Sequence, residues 1–375
     1  MARYDTAVIG GGMVGLWSAL LLARAGQSVV VVEAQSVGRH ASSASAGGVR
    51  SLNRHPAEIA LARAALPLWK SAASDLGNDV GFQETGQIRV AEDEAALVRL
   101  EQRVEMVKAL GFTHEHLVGT NTLFAKEPHL ARHCLGALVV EDDGFADPLK
   151  TIHALHHAAR TAGVTIMENT KVTGLVGGAP LIIHAGDEIA ADTVINAAGA
   201  WGAQVAALAG ENVNLTPTAL QMLVTAPMAP FVSAVMGTEG RKLSLKQSSA
   251  GHVIIGGGFT GTIDGEGLSA RPQHAAIAQN AANAANLFPH LKEHRIVRSW
   301  CGIEGMTPDG LPIVSPSRTM PGLIHAFGFC GHGFALAPVT AQLVQSLAAG
   351  NTPHWPLEPF NVARFEAAAE GRIDA

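Results

Sequence analysis

The chain has 375 residues, of which 47% are hydrophobic and 15% are charged, and its formal net charge is −6. This length predicts two structural units around a large core, and the acidic balance argues against a nucleic-acid-binding surface. Because the three cysteines, Cys134, Cys301 and Cys330, show no CxxC spacing, we expect neither disulfides nor a thiolate metal site, and a reducing cytoplasm fits best.

The first 33 residues predict a β–α–β unit. Residues 4–9 form an apolar run typical of a strand, residues 16–25 follow a helical pattern closed by Gly26, and residues 28–32 are a second, buried strand. The uncharged stretch over residues 6–23 raises the question of a membrane span. Its glycines, and the absence of a basic leader, favour a nucleotide-binding unit instead.

The glycine-rich turn of this unit is Gly10-Gly11-Gly12-Met13-Val14-Gly15, which matches G-x-G-x-x-G. Gly10 permits the tight turn, Gly12 lets the backbone approach a pyrophosphate, and Gly15 allows close packing of helix and strand. Glu33 ends the second strand, where an acid accepts hydrogen bonds from ribose hydroxyls and disfavours NADP. One alternative is an ordinary glycine turn that binds no ligand. Taken alone, the motif would also fit an NAD-dependent dehydrogenase.

A loop of small residues over 39–50 follows Glu33 and leads into Val49 and Arg50. Its hydroxyls and backbone amides are suited to wrap a second phosphate and a flat ring. A solvated linker is the alternative, although a linker would not lead straight into a long helix.

From this loop onward the chain resembles the D-amino-acid-oxidase-like family of flavoproteins, which includes glycine oxidase, sarcosine oxidase and D-amino-acid dehydrogenases. The resemblance covers nearly the whole chain. Its segments are residues 193–201 (TVINAAGAW), the strand-like 171–173 (KVT), 307–314 (TPDGLPIV) and 328–334 (GFCGHGF).

The resemblance implies non-covalently bound FAD. In the family the last segment opens a helix, here 335–349, whose N-terminal amides face the flavin pyrimidine edge, where reduction places negative charge. The cofactor-binding positions implied are Gly10, Gly12, Met13, Val14, Gly15, Glu33, Ala34, Ser42, Ser43, Gly47, Gly48, Val172, Ala198, Gly199, Trp201, Gly331, His332, Gly333 and Phe334.

The fold implied is α/β, with a Rossmann-like FAD-binding domain of the glutathione-reductase type. That domain is expected over residues 1–80, 145–215 and 295–375. An interleaved α+β substrate domain built on a mixed or antiparallel sheet is expected over 81–144 and 216–294, including a charged helix at 92–110.

The chemistry implied is hydride transfer from an amine-bearing carbon to flavin N5, giving an imine that water hydrolyses. Arg50 is the first candidate for binding a substrate carboxylate, because a guanidinium pairs with it bidentately, and Arg54 and Lys246 compete for this role. A structural arginine is the alternative. Glu304 and His332 complete the predicted substrate-positioning residues.

One departure from the family narrows the prediction. Glycine oxidase and its close relatives have Arg-Pro in the segment that here reads Cys301-Gly302-Ile303-Glu304-Gly305-Met306, and Glu304 stands where their carboxylate-binding arginine would be. A carboxylate there would repel a simple amino acid's carboxylate and attract an ammonium or guanidinium instead.

The Ile-Glu-Gly version looks more like β subunits of heteromeric dye-linked dehydrogenases acting on D-hydroxyproline, proline or opines, and like a subunit of hydrogen cyanide synthase. This implies α and γ partner subunits, an FMN at an interface, and electron delivery to quinone at the periphery of the inner membrane. Two alternatives stay open: a self-sufficient sarcosine, glycine or D-amino-acid oxidase that releases hydrogen peroxide, and a non-catalytic flavin-binding relay subunit.

Two further sites are disfavoured by the sequence. Cys301 lies near the position where monomeric sarcosine oxidase attaches FAD, but its register is shifted, and a buried thiol is the preferred interpretation. His153, His156 and His157 share helical spacing, yet no acidic motif accompanies them, so a solvated helix face is preferred and no metal site is predicted.

Overall fold

The computed structural model describes residues 1–365. The α-helices are α1 (Met13–Arg24), α2 (Ala41–Ala44), α3 (Ile59–Leu76), α4 (Glu94–Ala109), α5 (Thr120–Lys126), α6 (Pro148–Thr161), α7 (Gly202–Leu208), α8 (His274–Leu287) and α9 (Gly333–Ala348). The strands are β1 (Ala2–Ile9), β2 (Val29–Val32), β3 (Gly48–Val49), β4 (Gln87–Ala91), β5 (His116–Gly119), β6 (Gly136–Val140), β7 (Gly144–Phe145), β8 (Thr165–Met167), β9 (Gly174–Val176), β10 (Leu181–Ala185), β11 (Asp187–Asn196), β12 (Thr216–Thr225), β13 (Val235–Thr238), β14 (Ser244–Gln247), β15 (Val253–Gly256), β16 (Thr262–Ile263), β17 (Ala270–Arg271), β18 (Ile296–Met306), β19 (Ile313–Pro316) and β20 (Leu323–Phe327).

The first sheet has the strand order β19-β20-β11-β1-β2-β8, with β10 and β9 attached beside β11. Its central strands β20, β11, β1, β2 and β8 pair in parallel. All four valines of β2 are buried, as expected for a parallel strand covered on both faces. Helix α1 packs against α6 and α9 over this sheet, which confirms the Rossmann-like prediction.

The second sheet has the order β18-β12-β15-β14-β13-β4-β6-β5 and carries its own hydrophobic core. Its neighbours pair antiparallel except β13 and β4, which are parallel, so this sheet is mixed, as predicted. The short pair β3–β7 joins the small-residue loop to the segment that returns toward α6.

Three predicted segments differ from the structure. Strand β18 pairs with β12 along nearly its whole length, so residues 296–306 lie in the second sheet, although the expected FAD-binding domain resumed at 295. Residues 171–173 form a loop between β8 and β9 rather than a strand, because pairing with β10 begins only at Gly174. Helix α9 begins at Gly333, two residues before the predicted start.

Helix ends follow local chemistry. Asp93 caps α4 by accepting a hydrogen bond from the Ala96 amide, and Asp147 caps α6 through the Leu149 and Lys150 amides, with Pro148 in the first turn. His153 and His157 are exposed on α6, on the solvated face preferred from the sequence.

Within residues 1–365, no helix combines the length and the apolar composition that crossing a membrane requires. The uncharged stretch over 6–23 is divided between β1, the glycine turn and α1.

Candidate functional site

The glycine turn lies between β1 and α1 and is packed tightly against backbone. Gly10 has φ of 109°, and a Cβ there would lie 2.5 Å from the Ala197 carbonyl oxygen. Gly12 is the N-cap of α1 and has no side chain to cap the helix. The backbone amides of the first helical turn are therefore directed toward the glycine turn. Ser42 Oγ accepts a hydrogen bond from the Met13 amide at 3.0 Å, which brings the small-residue loop against the same turn.

Glu33 sits at the carboxyl end of β2. One carboxylate oxygen accepts from the Gly11 amide at 2.7 Å, and the other accepts from the Gln35 amide at 2.8 Å. The backbone of Glu33 also pairs with Met167 and Thr170, so the loop that carries Val172 begins beside it. Ala34, the next predicted residue, follows Glu33 in this turn.

The third part of the predicted cofactor site follows β11. The Ala197 amide donates to the Ile9 carbonyl, which places Ala198 and the short 3₁₀ turn Gly199–Trp201 next to the glycine turn. The Trp201 ring lies 4.5 Å from the His40 ring, centroid to centroid. Three segments distant in sequence thus meet around one groove.

These residues fit FAD. The N-cap residues of α1 and α9 make no side-chain cap hydrogen bond, so both helix N-termini keep amides that would suit the negatively charged parts of this ligand. The α1 end, with Glu33, would hold the adenosine diphosphate half. The α9 end, with Gly331, His332, Gly333 and Phe334, would hold the flavin ring.

A cavity of about 440 Å³ lies between the small-residue loop, the second sheet and the start of α9. It contains the predicted residues Arg50, Glu304 and His332, together with Arg54. Other lining residues, which the sequence did not single out for this site, are Gln87, Arg89, Gln221, Arg241 and Lys242.

Lys246 is absent from the cavity lining among the described residues. Its ammonium lies 3.9 Å from the centroid of the Phe145 ring and donates to the Ala146 carbonyl at 3.4 Å. Burial lowers the pKa of Lys246 to about 7. The predicted substrate-positioning role of Lys246 therefore lacks support from its position, whereas Arg50 and Arg54 both reach the cavity.

A hydrogen-bonded chain holds Arg50. Arg50 Nη2 lies 3.4 Å from His332 Nε2, and His332 Nδ1 lies 2.8 Å from the buried Glu58 carboxylate. Because a guanidinium can only donate, Nε2 accepts and Nδ1 carries the proton that is donated to Glu58. Burial, followed by the positive charge of Arg54, lowers the pKa of His332 to about 4, which agrees with a neutral ring.

Arg54 is 1% exposed, and no carboxylate of residues 1–365 forms an ion pair with it. Its Nε donates to the Arg50 carbonyl at 3.1 Å, and its Nη1 has no hydrogen-bond partner among residues 1–365. Burial, and then the like charge of Arg50, lowers the pKa of Arg54 to about 9. Within residues 1–365 the carboxylates of Glu58 and Asp143 act on this group only at longer range, so it can pair directly with a bound anion.

Glu304 lies on β18 and faces the cavity beside Gly331. Burial raises the pKa of this carboxyl to about 7, opposed by a hydrogen bond from the Gly331 amide. The carboxyl therefore exchanges its proton near neutral pH.

Burial also raises the pKa of the Cys301 thiol, to about 11, which keeps that sulfur protonated and unreactive at neutral pH.

Two buried amides of the lining were missed by the sequence analysis. Gln87 Oε1 and Gln221 Nε2 have no hydrogen-bond partner in the described part of the chain, and both residues are at least nine-tenths buried. Gln87 and Arg89 are two apart on β4 and so share one face, but from sequence alone nothing shows that this face borders the cavity.

One group of metal-ligating side chains occurs within residues 1–365, namely Glu92, His133 and Cys134. Glu92 accepts hydrogen bonds from both Arg241 and His133, and burial raises the pKa of the Cys134 thiol to about 11. The ion pairs of Glu92 with Arg241 and His133 account for the closeness of these side chains without a bound metal.

Glu58 stabilises the fold through its contact with His332. We expect Glu58→Gln to lower the free energy of unfolding at pH 7 by about 1.5–3 kcal/mol, because a buried charge-assisted hydrogen bond is weakened. Although burial opposes it, the His332 hydrogen bond holds the pKa of Glu58 below its usual 4.5. The stabilisation is therefore present above pH 4.5 and lost as the pH falls below it. Urea unfolding of both proteins from pH 3 to 8 measures this difference; equal stabilities at pH 7 would contradict the prediction.

Comparison with known proteins identifies the family of the chain. The model of the DAO family, described as FAD dependent oxidoreductase, matches residues 5–347. A glycine oxidase from Geobacillus kaustophilus is 29% identical over 96% of this chain and 97% of its own. A subunit of opine oxidase from Rhizobium meliloti is 29% identical over 98% of this chain and 99% of its own. The crystal structure of the Geobacillus kaustophilus glycine oxidase superposes with a TM-score of 0.90 at 27% identity, covering 97% of this chain and 99% of that one.

Proposed function

Because the chain belongs to the DAO family of FAD-dependent oxidoreductases, we propose that it oxidises a C–N bond in a carboxylate-bearing amine as the catalytic subunit of a heteromeric dehydrogenase. The protein is a FAD-dependent oxidoreductase acting on amino acids or amines. The proposal adds its substrate, its partners and its electron acceptor.

The observation that carries this proposal is the separation of charge in the cavity. Within residues 1–365, Arg50 and Arg54 line the cavity without an ion pair to a carboxylate, and Glu304 offers a carboxyl beside the start of α9. A ligand with an anionic end and a basic nitrogen complements both. A free amino acid or a secondary amino acid has these two features.

Glu304 has a chemical task in this arrangement. A bound ammonium must lose a proton before its carbon can give up a hydride, because the nitrogen lone pair stabilises the resulting imine. Glu304 accepts that proton at a carboxylate oxygen, since its raised pKa makes it a stronger base than an ordinary carboxylate. When bound, FAD supplies the hydride acceptor. Water then splits the imine into a carbonyl compound and an amine.

We expect Glu304→Gln to lower kcat/KM by about 100-fold at pH 8, because the amide cannot accept the proton. In the wild type, kcat/KM should rise as the pH increases through about 7, where the Glu304 carboxyl ionises, and this rise should vanish in Glu304→Gln. Steady-state kinetics from pH 5.5 to 9 provide the measurement. Glu266→Gln, an exposed change, serves as the control. An unchanged pH profile in Glu304→Gln would refute the assigned role.

The heteromeric part of the proposal is supported by the likeness to the Rhizobium meliloti opine oxidase chain, which is named as one subunit of an enzyme. In this proposal the electron acceptor would be a redox centre of a partner subunit that is linked to a quinone, and an FMN would lie at the interface. Affinity purification of the tagged chain from its native host, with flavin and iron analysis of the complex, tests this directly.

The purified chain alone separates the remaining alternatives. Rapid reoxidation of the substrate-reduced protein by air, with peroxide release, would favour a self-sufficient oxidase. A flavin spectrum that no candidate amine bleaches, even in the full complex, would favour a relay subunit without catalysis.

A further inference from the structure

A row of small residues crosses the face of the second sheet that borders the cavity. Gly237 on β13, Ser244 on β14 and Gly256 on β15 are successive register partners, and all three line the cavity. Because neighbouring strands lie about 4.8 Å apart, the row is about 10 Å long. We call these three residues the sheet trough.

The backbone does not require glycine at Gly237. This residue has no positive φ, and among residues 1–365 a Cβ there would meet, apart from its chain neighbours, only the Leu243 carbonyl oxygen within 4 Å, at 3.3 Å. Glycine inside a strand costs stability and often marks a place where a ligand approaches the backbone closely. At Gly256, by contrast, the protein itself uses the space, because a Cβ would lie 2.7 Å from the Met222 sulfur. The space over Gly237 is therefore the part of the trough that is left for a ligand.

Apolar side chains flank the sheet trough. Val235, Leu243 and Met222 are each at least nine-tenths buried, and all line the cavity. Leu220 lies two residues from Met222, on the same face of β12, and is in register with a residue of β18 two positions before Glu304. The apolar surface therefore continues from the trough toward the strand that carries Glu304.

The arginines nearest the trough are already paired. Arg89 is in register with the first trough residue and donates to Glu239 at 2.6 Å, and Arg241 forms an ion pair with Glu92. Neither group therefore needs an anion from a ligand. Arg54, by contrast, is 1% exposed, lines the same cavity, and has an Nη1 without a hydrogen-bond partner within residues 1–365. The cavity thus combines a buried anion-binding group with a separate apolar surface.

A small amino acid covers only one of these two parts. Glycine or sarcosine can place its carboxylate at Arg54 and its nitrogen toward Glu304, but it has no group that covers the apolar side chains around Gly237. A hydrocarbon chain on the trough removes that surface from water. Each fully buried methylene group strengthens binding by about fourfold.

We infer that the ligand of this cavity, which is the substrate in the proposed function, carries an extended apolar substituent that lies over the sheet trough, and that Gly237 determines how long this substituent can be. The inference rests on the proposed function. It specifies the substrate class as an amino acid with a long apolar substituent on its nitrogen or its α-carbon.

Binding of inert ligands tests the inference without turnover. The probes (methylthio)acetate and (hexylthio)acetate both carry sulfur in place of the amine, and they differ only by five methylene groups. Isothermal titration of the FAD-loaded protein should give a Kd for (hexylthio)acetate about thirtyfold or more below that for (methylthio)acetate. Half-burial of each methylene, at about twofold each, suffices for this difference. Equal or weaker binding of (hexylthio)acetate would overturn the inference.

A pair of glycine variants locates the substituent. Gly237→Val fills the trough and should weaken binding of (hexylthio)acetate about tenfold or more, while FAD is retained and the Kd of (methylthio)acetate stays within about twofold. The control is Gly119→Val, at the exposed end of β5 in the same sheet, where a Cβ would meet no atom within 4 Å. This control should leave both Kd values unchanged.

Ser244→Leu provides a second variant at the trough. Its backbone already carries a Cβ, so it decides the question if Gly237→Val does not fold, and it should weaken binding of (hexylthio)acetate in the same way. Full preference for (hexylthio)acetate in either folded variant would show that the substituent lies elsewhere. Loss of FAD from a folded Gly237→Val, with FAD retained in Gly119→Val, would assign the trough to the cofactor and overturn the inference.

Turnover separates this inference from the function on which it rests. N-hexylglycine and 2-aminooctanoate are isomers that place a six-carbon chain on the nitrogen or on the α-carbon. The holoenzyme should reduce its flavin faster with at least one of them than with sarcosine. Faster reduction by sarcosine than by both would overturn the inference and leave amine oxidation intact. Preferred binding of (hexylthio)acetate without flavin reduction by any amine would support the inferred ligand and overturn the proposed function.

Discussion

Replacing Gly10 by alanine is expected to abolish FAD binding. A Cβ at this position would lie 2.5 Å from the Ala197 carbonyl oxygen and 2.8 Å from its carbonyl carbon. Both are backbone atoms at the end of β11, which is held by pairing with β1 on one side and β20 on the other. The turn must therefore move, and with it the start of α1, which would receive the pyrophosphate.

The control for this change is Gly26→Ala. Gly26 also has a positive φ, of 91°, but a Cβ there would have no atom within 4 Å. We expect Gly26→Ala to lower the stability by about 1 kcal/mol and to retain FAD. The ratio of flavin to protein absorbance after purification measures the outcome. A flavin content of Gly10→Ala equal to that of Gly26→Ala would mean that the turn does not hold the cofactor.

The second large effect is expected for Arg54→Met. The value of kcat/KM should fall by about 10³-fold, because the substrate carboxylate loses a fully buried guanidinium. The same change should raise the thermal stability of the substrate-free protein. In that state Arg54 is a buried charge whose Nη1 finds no partner in the described chain, and an apolar side chain of similar length removes this cost.

A lower kcat/KM together with a higher thermal stability in Arg54→Met would identify Arg54 as a binding residue rather than a structural one. Arg54→Lys keeps the charge but not the planar fork, so it should recover part of the activity. The readouts are steady-state kinetics and thermal unfolding without substrate. Loss of stability in Arg54→Met together with unchanged kcat/KM would show that Arg54 serves the fold alone.

The cofactor-binding half of the site could be predicted from the sequence because its residues are close together in the chain. Gly10, Gly12, Gly15 and Glu33 belong to one continuous strand–turn–helix–strand segment, whose conformation the residue types themselves prescribe. The strand proposed at 171–173 was wrong for a related reason: a short polar segment is placed by its neighbours, here β10 and the Glu33 turn, rather than by its own pattern.

The substrate-binding half of the site could be predicted from the sequence only in part. Glu304 and His332 were identified through resemblance, and Arg50 through its guanidinium and its position after the small-residue loop; the structure brings all three to one cavity. Arg89 and Gln221 come from strands whose register depends on pairing across the whole second sheet, and no feature of their own segments marks them.

The sequence by itself predicted a dinucleotide site within the first 33 residues, and the resemblance to glycine oxidases predicted that Glu304 stands in place of their carboxylate-binding arginine. Only the tertiary structure decided that Arg50, Arg54 and Arg89 line one cavity while Lys246 lies against Phe145. The physical reason is that a helix N-terminus and a glycine turn are built from adjacent residues. The net charge of the cavity depends instead on charged side chains and their ion-pair partners from distant segments. It is set only after those segments have packed together.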